Sequence, residues 1–226
     1  MPPESLTIPE KRIPGRPIAV FDVNHGQRNW SQTGFTSREM HSNFAGLMEL
    51  LCRLGCVCSA TVNAPLATAL EKARLFVIPT PTGEYVRTHK CWTPKPELHF
   101  SASDIRGIAD FVKRGGRLLA FGYRFGDSFT CSNLRELFTT FGCLLNDDAV
   151  IDLQLLRECY PLDAYFDTPD TSLPLAWSAR EVHTVRWRTM ATFTILPGAR
   201  LTPLAVSAGG NCISFDRTQR RISFAS

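Results

Sequence analysis

Arg117-Leu118-Leu119-Ala120-Phe121-Gly122-Tyr123-Arg124-Phe125-Gly126 is the stretch whose reading decides the fold. An apolar run of strand length enters a Gly-x-x-x-Gly turn. In such a frame the glycines permit a sharp strand-to-helix reversal that lifts the central side chain above the sheet. In a catalytic turn of this kind the central residue is Ser or Cys, which supply an activatable oxygen or sulfur. Here it is Arg124, whose guanidinium stays protonated and cannot attack a carbonyl. The sequence predicts the frame of a catalytic fold without its nucleophile. Because Gly-x-x-x-Gly also follows strands by chance, the rest of the chain has to carry the assignment.

Working outward, strand and helix signals alternate from Ile18 to Val150. Pro17 to Asp22 is a short apolar run closing on a polar residue, as a buried parallel strand should. After a polar loop, Thr36-Ser37-Arg38-Glu39 fits a capping box, and apolar residues from Met40 to Leu54 recur near a 3.6 period up to Gly55. Cys56 to Val62 reads as a strand, Leu66 to Lys72 as a short helix after Pro65, and Leu75 to Ile78 as a third strand. Residues 79 to 100 read as a long Pro- and Thr-rich loop. Ser101 to Asp104 opens a helix that stops at Gly115-Gly116, and Asn133 to Phe141 is another helix, leading to a fifth strand at Cys143-Leu144-Leu145. Five strands joined by helices predict a doubly wound parallel α/β sheet of three layers.

The texture changes beyond residue 152. Residues 160 to 180 are rich in Pro and Asp, and β-type alternation runs through Val182, Val185, Trp187, Phe193 and Ile195. Cys212 to Phe215 and Arg221 to Phe224 flank a turn and predict a hairpin. The expected organisation is therefore an N-terminal flexible arm over residues 1–16, an α/β domain over 17–152 and a β-rich extension over 153–226. The end at Ser226, within strand-like sequence, reads as a cut through something longer, which predicts work within a larger polypeptide or complex.

Composition narrows the function classes. The 226 residues are 44% hydrophobic and 20% charged, with a net charge of +4, ordinary for a globular chain. The dense basic cluster, Arg217 to Arg221, reads as a solvated hairpin tip, and no nucleic-acid partner is expected. No window suggests a membrane span and no apolar leader opens the chain. The eight cysteines read as free thiols in a reducing, cytoplasmic compartment. His89, Cys91 and His99 in the long loop lack a recognised ligand spacing, so neither a metal nor another cofactor is expected.

In open α/β sheets, ligands collect beyond the carboxyl ends of the strands. After the first strand this places Asp22, Asn24, His25, Gly26, Gln27 and Arg28 beside the helix start at Thr36, whose dipole favours anions. The expected ligand site combines these residues with Tyr123 and Arg124 of the turn, and its guest is a small polar or anionic group. Against it stands a structural reading, in which Asp22 accepts loop amides and His25 braces the loop. An ion pair of Arg124 with Asp22 or Asp127 would likewise fill the pocket. A hydrolase using Asp22 and His25 as an acid–base pair is the enzymatic alternative.

Four stretches carry a family resemblance. Asp22-Val23-Asn24-His25-Gly26-Gln27 resembles the D-x-x-H-G-Q opening of bacterial amidotransferase-like domains associated with ABC transporters. Gly115 to Ala120, Asn133 to Gly142 and Asn146 to Val150 together are similar to the GIFT domain, shared by intraflagellar-transport and gliding-motility proteins. The resemblance covers roughly residues 18 to 152. It implies a class I amidotransferase-like fold, flavodoxin-like in its winding, that has lost the catalytic Cys and serves in assemblies or ligand sensing. A Cys–His–Glu amidotransferase would need its Cys at Arg124 and a His-x-Glu pair, which this sequence does not contain.

Overall fold

Four apolar runs become one parallel sheet. The computed structural model describes residues 15–25, 44–61, 65–80, 85–88, 91–94, 99–130, 132–153, 155, 163–167, 184–188, 191–203, 206–207, 212–216 and 221–224. Strands β1 (Ile18–Phe21), β2 (Val57–Ala60), β3 (Leu75–Ile78) and β6 (Arg117–Ala120) pair in the order β2-β1-β3-β6. Every pairing in this sheet is parallel, with Ala19 opposite Cys58 and Leu75, and Val77 opposite Leu119. Central strands of such a sheet are covered on both faces, which is why β1 and β3 carry no polar residue.

Side-chain alternation gives each face its own core. Ala19, Phe21, Cys58 and Val77 form one cluster, covered by Phe44, Leu47, Met48 and Leu51 from helix α1 (Ala45–Arg53) and its N-terminal flank. Val20, Phe76 and Ile78 point the other way and are almost fully buried. Helices α2 (Leu66–Lys72) and α3 (Ala102–Lys113) pack on each other and bury Leu66, Leu70, Ile105, Ile108 and Phe111. Ser101 caps α3 with a complete capping box to Asp104. The helix expected from Thr36 is seen from Ala45 onward, because residues 26–43 lie outside the described residues.

Two expectations about strands are corrected. The stretch read as a long loop contains an antiparallel hairpin, β4 (Tyr85–Thr88) with β5 (Cys91–Pro94). Its β-branched and aromatic residues outweigh the Pro and Thr composition that suggested a loop. The fifth strand, β7 (Cys143–Leu145), is a strand, but among the described residues it pairs antiparallel with β11 (Phe193–Ile195).

The chain divides into two compact units, Met1–Phe121 and Gly122–Ser226. The second unit begins with the turn after β6, then α4 (Gly126–Thr130) and α5 (Leu134–Thr139). The strand pairings described in the rest of it are antiparallel. β8 (Asp148–Asp152) pairs with β13 (Cys212–Asp216), and β13 with β14 (Arg221–Phe224), the predicted hairpin. β9 (Asp163–Asp167), in the Pro- and Asp-rich stretch, lies between β10 (Thr184–Arg188) and β12 (Val206–Ser207). The arm expected over residues 1–16 lies outside the described residues up to position 14.

Candidate functional site

At the carboxyl end of β1 the chain leaves the sheet at Asp22, whose side chain is fully buried. The backbone N–H of Asp22 still donates to Val77 O at 2.8 Å, so the residue is held by the ladder while its carboxylate faces the loop. Three donors converge there. His25 Nδ1 lies 3.0 and 2.9 Å from the two carboxylate oxygens, the Thr61 hydroxyl donates at 3.2 Å, and the Asn24 N–H at 3.3 Å. The last is an Asx turn, the local bond that lets Asp open a loop.

Thr61 ties this loop to the end of β2. Its N–H donates to Phe21 O at 2.9 Å, its hydroxyl accepts from Val23 N at 2.9 Å, and its carbonyl accepts from Asn24 Nδ2 at 2.8 Å. The strand end and loop are thus cross-braced, with Asp22 and Thr61 as the two buried polar residues at the joint.

His25 is held on three sides. Its Nδ1 meets Asp22, its ring stacks on Phe100 with centroids 4.0 Å apart at 19°, and its Nε2 lies 3.7 Å from Asp104 Oδ2. A carboxylate at Nδ1 fixes the proton on that nitrogen and directs Nε2 outward. Asp104 performs a second task, because the same carboxylate accepts from Ser101 N at 2.9 Å in the cap of α3. The cluster therefore links the β1 loop to the start of α3. An oriented Asp–His pair is the arrangement that general-base catalysis uses. Only 12% of the His25 side chain is exposed.

Of the expected site residues, the structure brings together Asp22, Asn24 and His25. Gly26, Gln27, Arg28 and Thr36 lie outside the described residues. Thr61, Phe100 and Asp104 complete the cluster and were not singled out from sequence. Thr61 had a legible signal as the polar residue ending an apolar strand, whereas Phe100 and Asp104 arrive only through the packing of α3.

Tyr123 and Arg124 belong to the second unit, both half-buried. The Arg124 guanidinium lies 5.7 Å from the Tyr123 ring centre and 5.9 Å from that of Phe125. The turn carries a left-handed backbone at a non-glycine residue, Phe125 with φ 59°, one position after the sequence centre of Gly-x-x-x-Gly. Gly126 follows at φ 46°, where an added Cβ would stand 2.7 Å from Asn146 O. The turn is pinned by Phe125 N–H donating to Asp148 O and by Ser128 Oγ donating to Phe125 O.

Asp127, considered as a partner for Arg124, serves α5 instead. It accepts from Ser132 Oγ at 2.7 Å, Leu134 N at 3.0 Å and Arg135 N at 2.9 Å. Burial pushes its carboxyl above the ordinary 3.8, against the lowering effect of those hydrogen bonds. A groove of about 520 Å³ in this unit is lined by Asp127, Asn133, Arg135, Glu136, Thr139 and Leu144 among others. No cluster of three or more His, Cys, Asp or Glu side chains placed to hold a metal occurs among the described residues. No described helix is long and apolar enough to cross a membrane.

Comparison with known proteins gives a likeness at the level of fold. The chain is similar to a solved structure, the mmIFT52 N-terminal domain, with a TM-score of 0.62 over 87% of this chain and 83% of that one. Sequence identity across the match is 16%, a level at which the likeness concerns the fold alone. No protein-family model matches the chain, and no curated protein matches it.

Proposed function

We propose that this chain is a non-catalytic binding or interaction module of the amidotransferase-like, GIFT type, working within a larger protein or complex in the cytoplasm. The observation that carries the reading is the turn after β6. It has the strand–turn–helix order and a left-handed non-glycine residue, as a nucleophile turn does, yet its side chains are Tyr123, Arg124 and Phe125. None of the three can serve as an acyl-transfer nucleophile of the Ser or Cys kind. The strand order β2-β1-β3-β6 agrees with the flavodoxin-like winding in which such folds are built. The likeness to the mmIFT52 N-terminal domain supports the fold on which this reading builds, not the family.

A second reading is favoured by one observation, the 2.9 Å contact between Asp22 and His25 Nδ1. It makes a hydrolase with an Asp–His base conceivable chemically, with a small polar or anionic substrate at the carboxyl edge of the sheet. Glutaminase and esterase assays on the purified chain, beside Asp22→Asn and His25→Ala, separate the two. The module reading expects no turnover above the buffer rate in any of the three. Turnover present in the parent and lost in both variants overturns it in favour of the enzyme.

A further inference from the structure

Three of the five large apolar side chains that stand exposed among the described residues, Phe193, Ile195 and Leu201, belong to β11 and the chain just after it. β11 pairs with β7 on one side, and no second strand joins its other side among the described residues. The bonds at its ends show which backbone groups that pairing uses. Thr192 O accepts from Asn146 N at 3.0 Å, and Leu196 N donates to Gly142 O at 2.9 Å. In an antiparallel pair, residues bonded to the neighbouring strand alternate with residues that are not. Thr192, Thr194 and Leu196 therefore turn their backbone to β7, and Phe193 and Ile195 turn theirs outward. The outer edge offers the N–H donors and C=O acceptors of both.

The side chains beside this edge are apolar and only partly covered. Phe193 stands opposite the buried Leu145 and meets Phe138 of α5 edge-on, with ring centres 5.2 Å apart. Even so, Phe193 is 44% exposed, and Ile195, on the same face of the strand, is 43% exposed. The apolar layer thus runs out to the edge and stays open there. Folded proteins blunt such an edge with a charge, a proline or a bulge. Thr189 to Ala199 contains no charged residue, and its proline, Pro197, lies beyond the strand.

Charge selects the occupant. Val182 to Phe215 contains Arg186, Arg188 and Arg200 and no acidic residue, and Arg200 is exposed. A second copy paired edge to edge would set these arginines against their own kind, whereas an acidic segment is attracted to them. We infer that the outer edge of β11 is a strand-addition site for an extended segment of a partner protein, with alternating apolar residues flanked by acidic ones. The partner's backbone bonds to the outward groups of Phe193 and Ile195, and its apolar side chains cover theirs. This surface belongs to the binding module proposed above and rests on that reading. Turnover would overturn the module, whereas a failed peptide titration overturns the surface alone.

The test uses the purified full chain and a fluorescein-labelled acidic strand peptide, EEVTFTVEE, followed by fluorescence anisotropy. One companion peptide is N-methylated at its central amides, and another carries lysines in place of the glutamates. Ile195→Pro removes an outward donor and keeps the bonds to β7, because edge strands accept Pro where the N–H faces solvent. The expected result is saturable binding of the acidic peptide. It should weaken about tenfold or more with Ile195→Pro, with the methylated peptide and with the lysine peptide. Circular dichroism checks that Ile195→Pro is folded, and the methylated peptide carries the test if it is not. No binding of the acidic peptide, or equal binding of the methylated or lysine peptide, would overturn the inference. So would light scattering that shows a dimer in the parent and a monomer in Ile195→Pro, which would make the occupant a second copy.

Discussion

Replacing Asp22 by Ala tests whether the cluster at the end of β1 is a brace. The carboxylate is fully buried and accepts from His25, Thr61 and Asn24. Thr61 is itself fully buried, so its hydroxyl loses its acceptor in a place water does not reach, costing about 1–3 kcal/mol. His25, with only 12% of its side chain exposed, loses a bond to a charged partner worth roughly 1.5–3 kcal/mol. The Asn24 N–H, on an exposed residue, rehydrates at little cost. The total is roughly 2.5–6 kcal/mol, a large share of the roughly 5–15 kcal/mol that holds a domain together. Urea unfolding followed by far-ultraviolet circular dichroism, at constant slope, reads this as a lower midpoint. Thr61→Val alone removes one end of the same pair, so the double variant should lose less than the sum, by about 0.5–3 kcal/mol. A loss below about 1 kcal/mol for Asp22→Ala, or strict additivity with Thr61→Val, would refute the brace.

Gly126→Ala adds a Cβ 2.7 Å from Asn146 O at a left-handed φ of 46°, and should cost about 2–3 kcal/mol, seen as a drop in thermal midpoint; an unchanged midpoint means the turn is free to relax. Asp127 titrates above its ordinary 3.8 because of burial, so the folded chain holds the proton more tightly than the unfolded one. Its contribution is greatest below 3.8 and declines as pH rises through the raised folded value. Against the non-titrating Asp127→Asn, the parent's urea midpoint should therefore fall as pH rises from about 4 towards neutrality, and a constant or growing advantage for the parent rejects the assignment.

How much of this was legible in the sequence follows from where each signal resides. β1 and β3 announce themselves as apolar runs because these central strands are buried on both faces, and that burial writes composition directly. The start of α3 was equally local, since Ser101 and Asp104 satisfy each other within one turn. The pairing of β7 was not. Cys143–Leu145 reads as a strand in any context, and only the register Phe193↔Leu145, set by a strand much later in the chain, decides its partner. The β4–β5 hairpin was hidden because the sequence between Thr88 and Cys91 holds none of the Gly or Asn signals that mark tight hairpins. In the site, Asp22, Asn24 and His25 were visible together because they lie within four residues of one loop. Thr61, Phe100 and Asp104 belong to other elements and converge on it only through the parallel sheet and the packing of α3.

The cluster around Asp22 uses the side chains of catalysis for attachment. A general base has to meet a proton on a substrate, so its outward nitrogen must be open to the reacting group. Here the imidazole is stacked against Phe100, and its outward nitrogen faces Asp104, a carboxylate already engaged in capping α3. Each bond ties one structural element to another: β1 to β2 through Thr61, and the β1 loop to α3 through His25. The cross-bracing holds a loop at a fixed height above the carboxyl edge of the sheet, the position from which α/β folds present loops to ligands and partners. Fixing that loop before contact lowers the ordering cost of any association made there. This supports the binding-module reading over the enzymatic one, and it explains why a chain with no nucleophile in its turn would still retain Asp22 and His25 in hydrogen-bond contact.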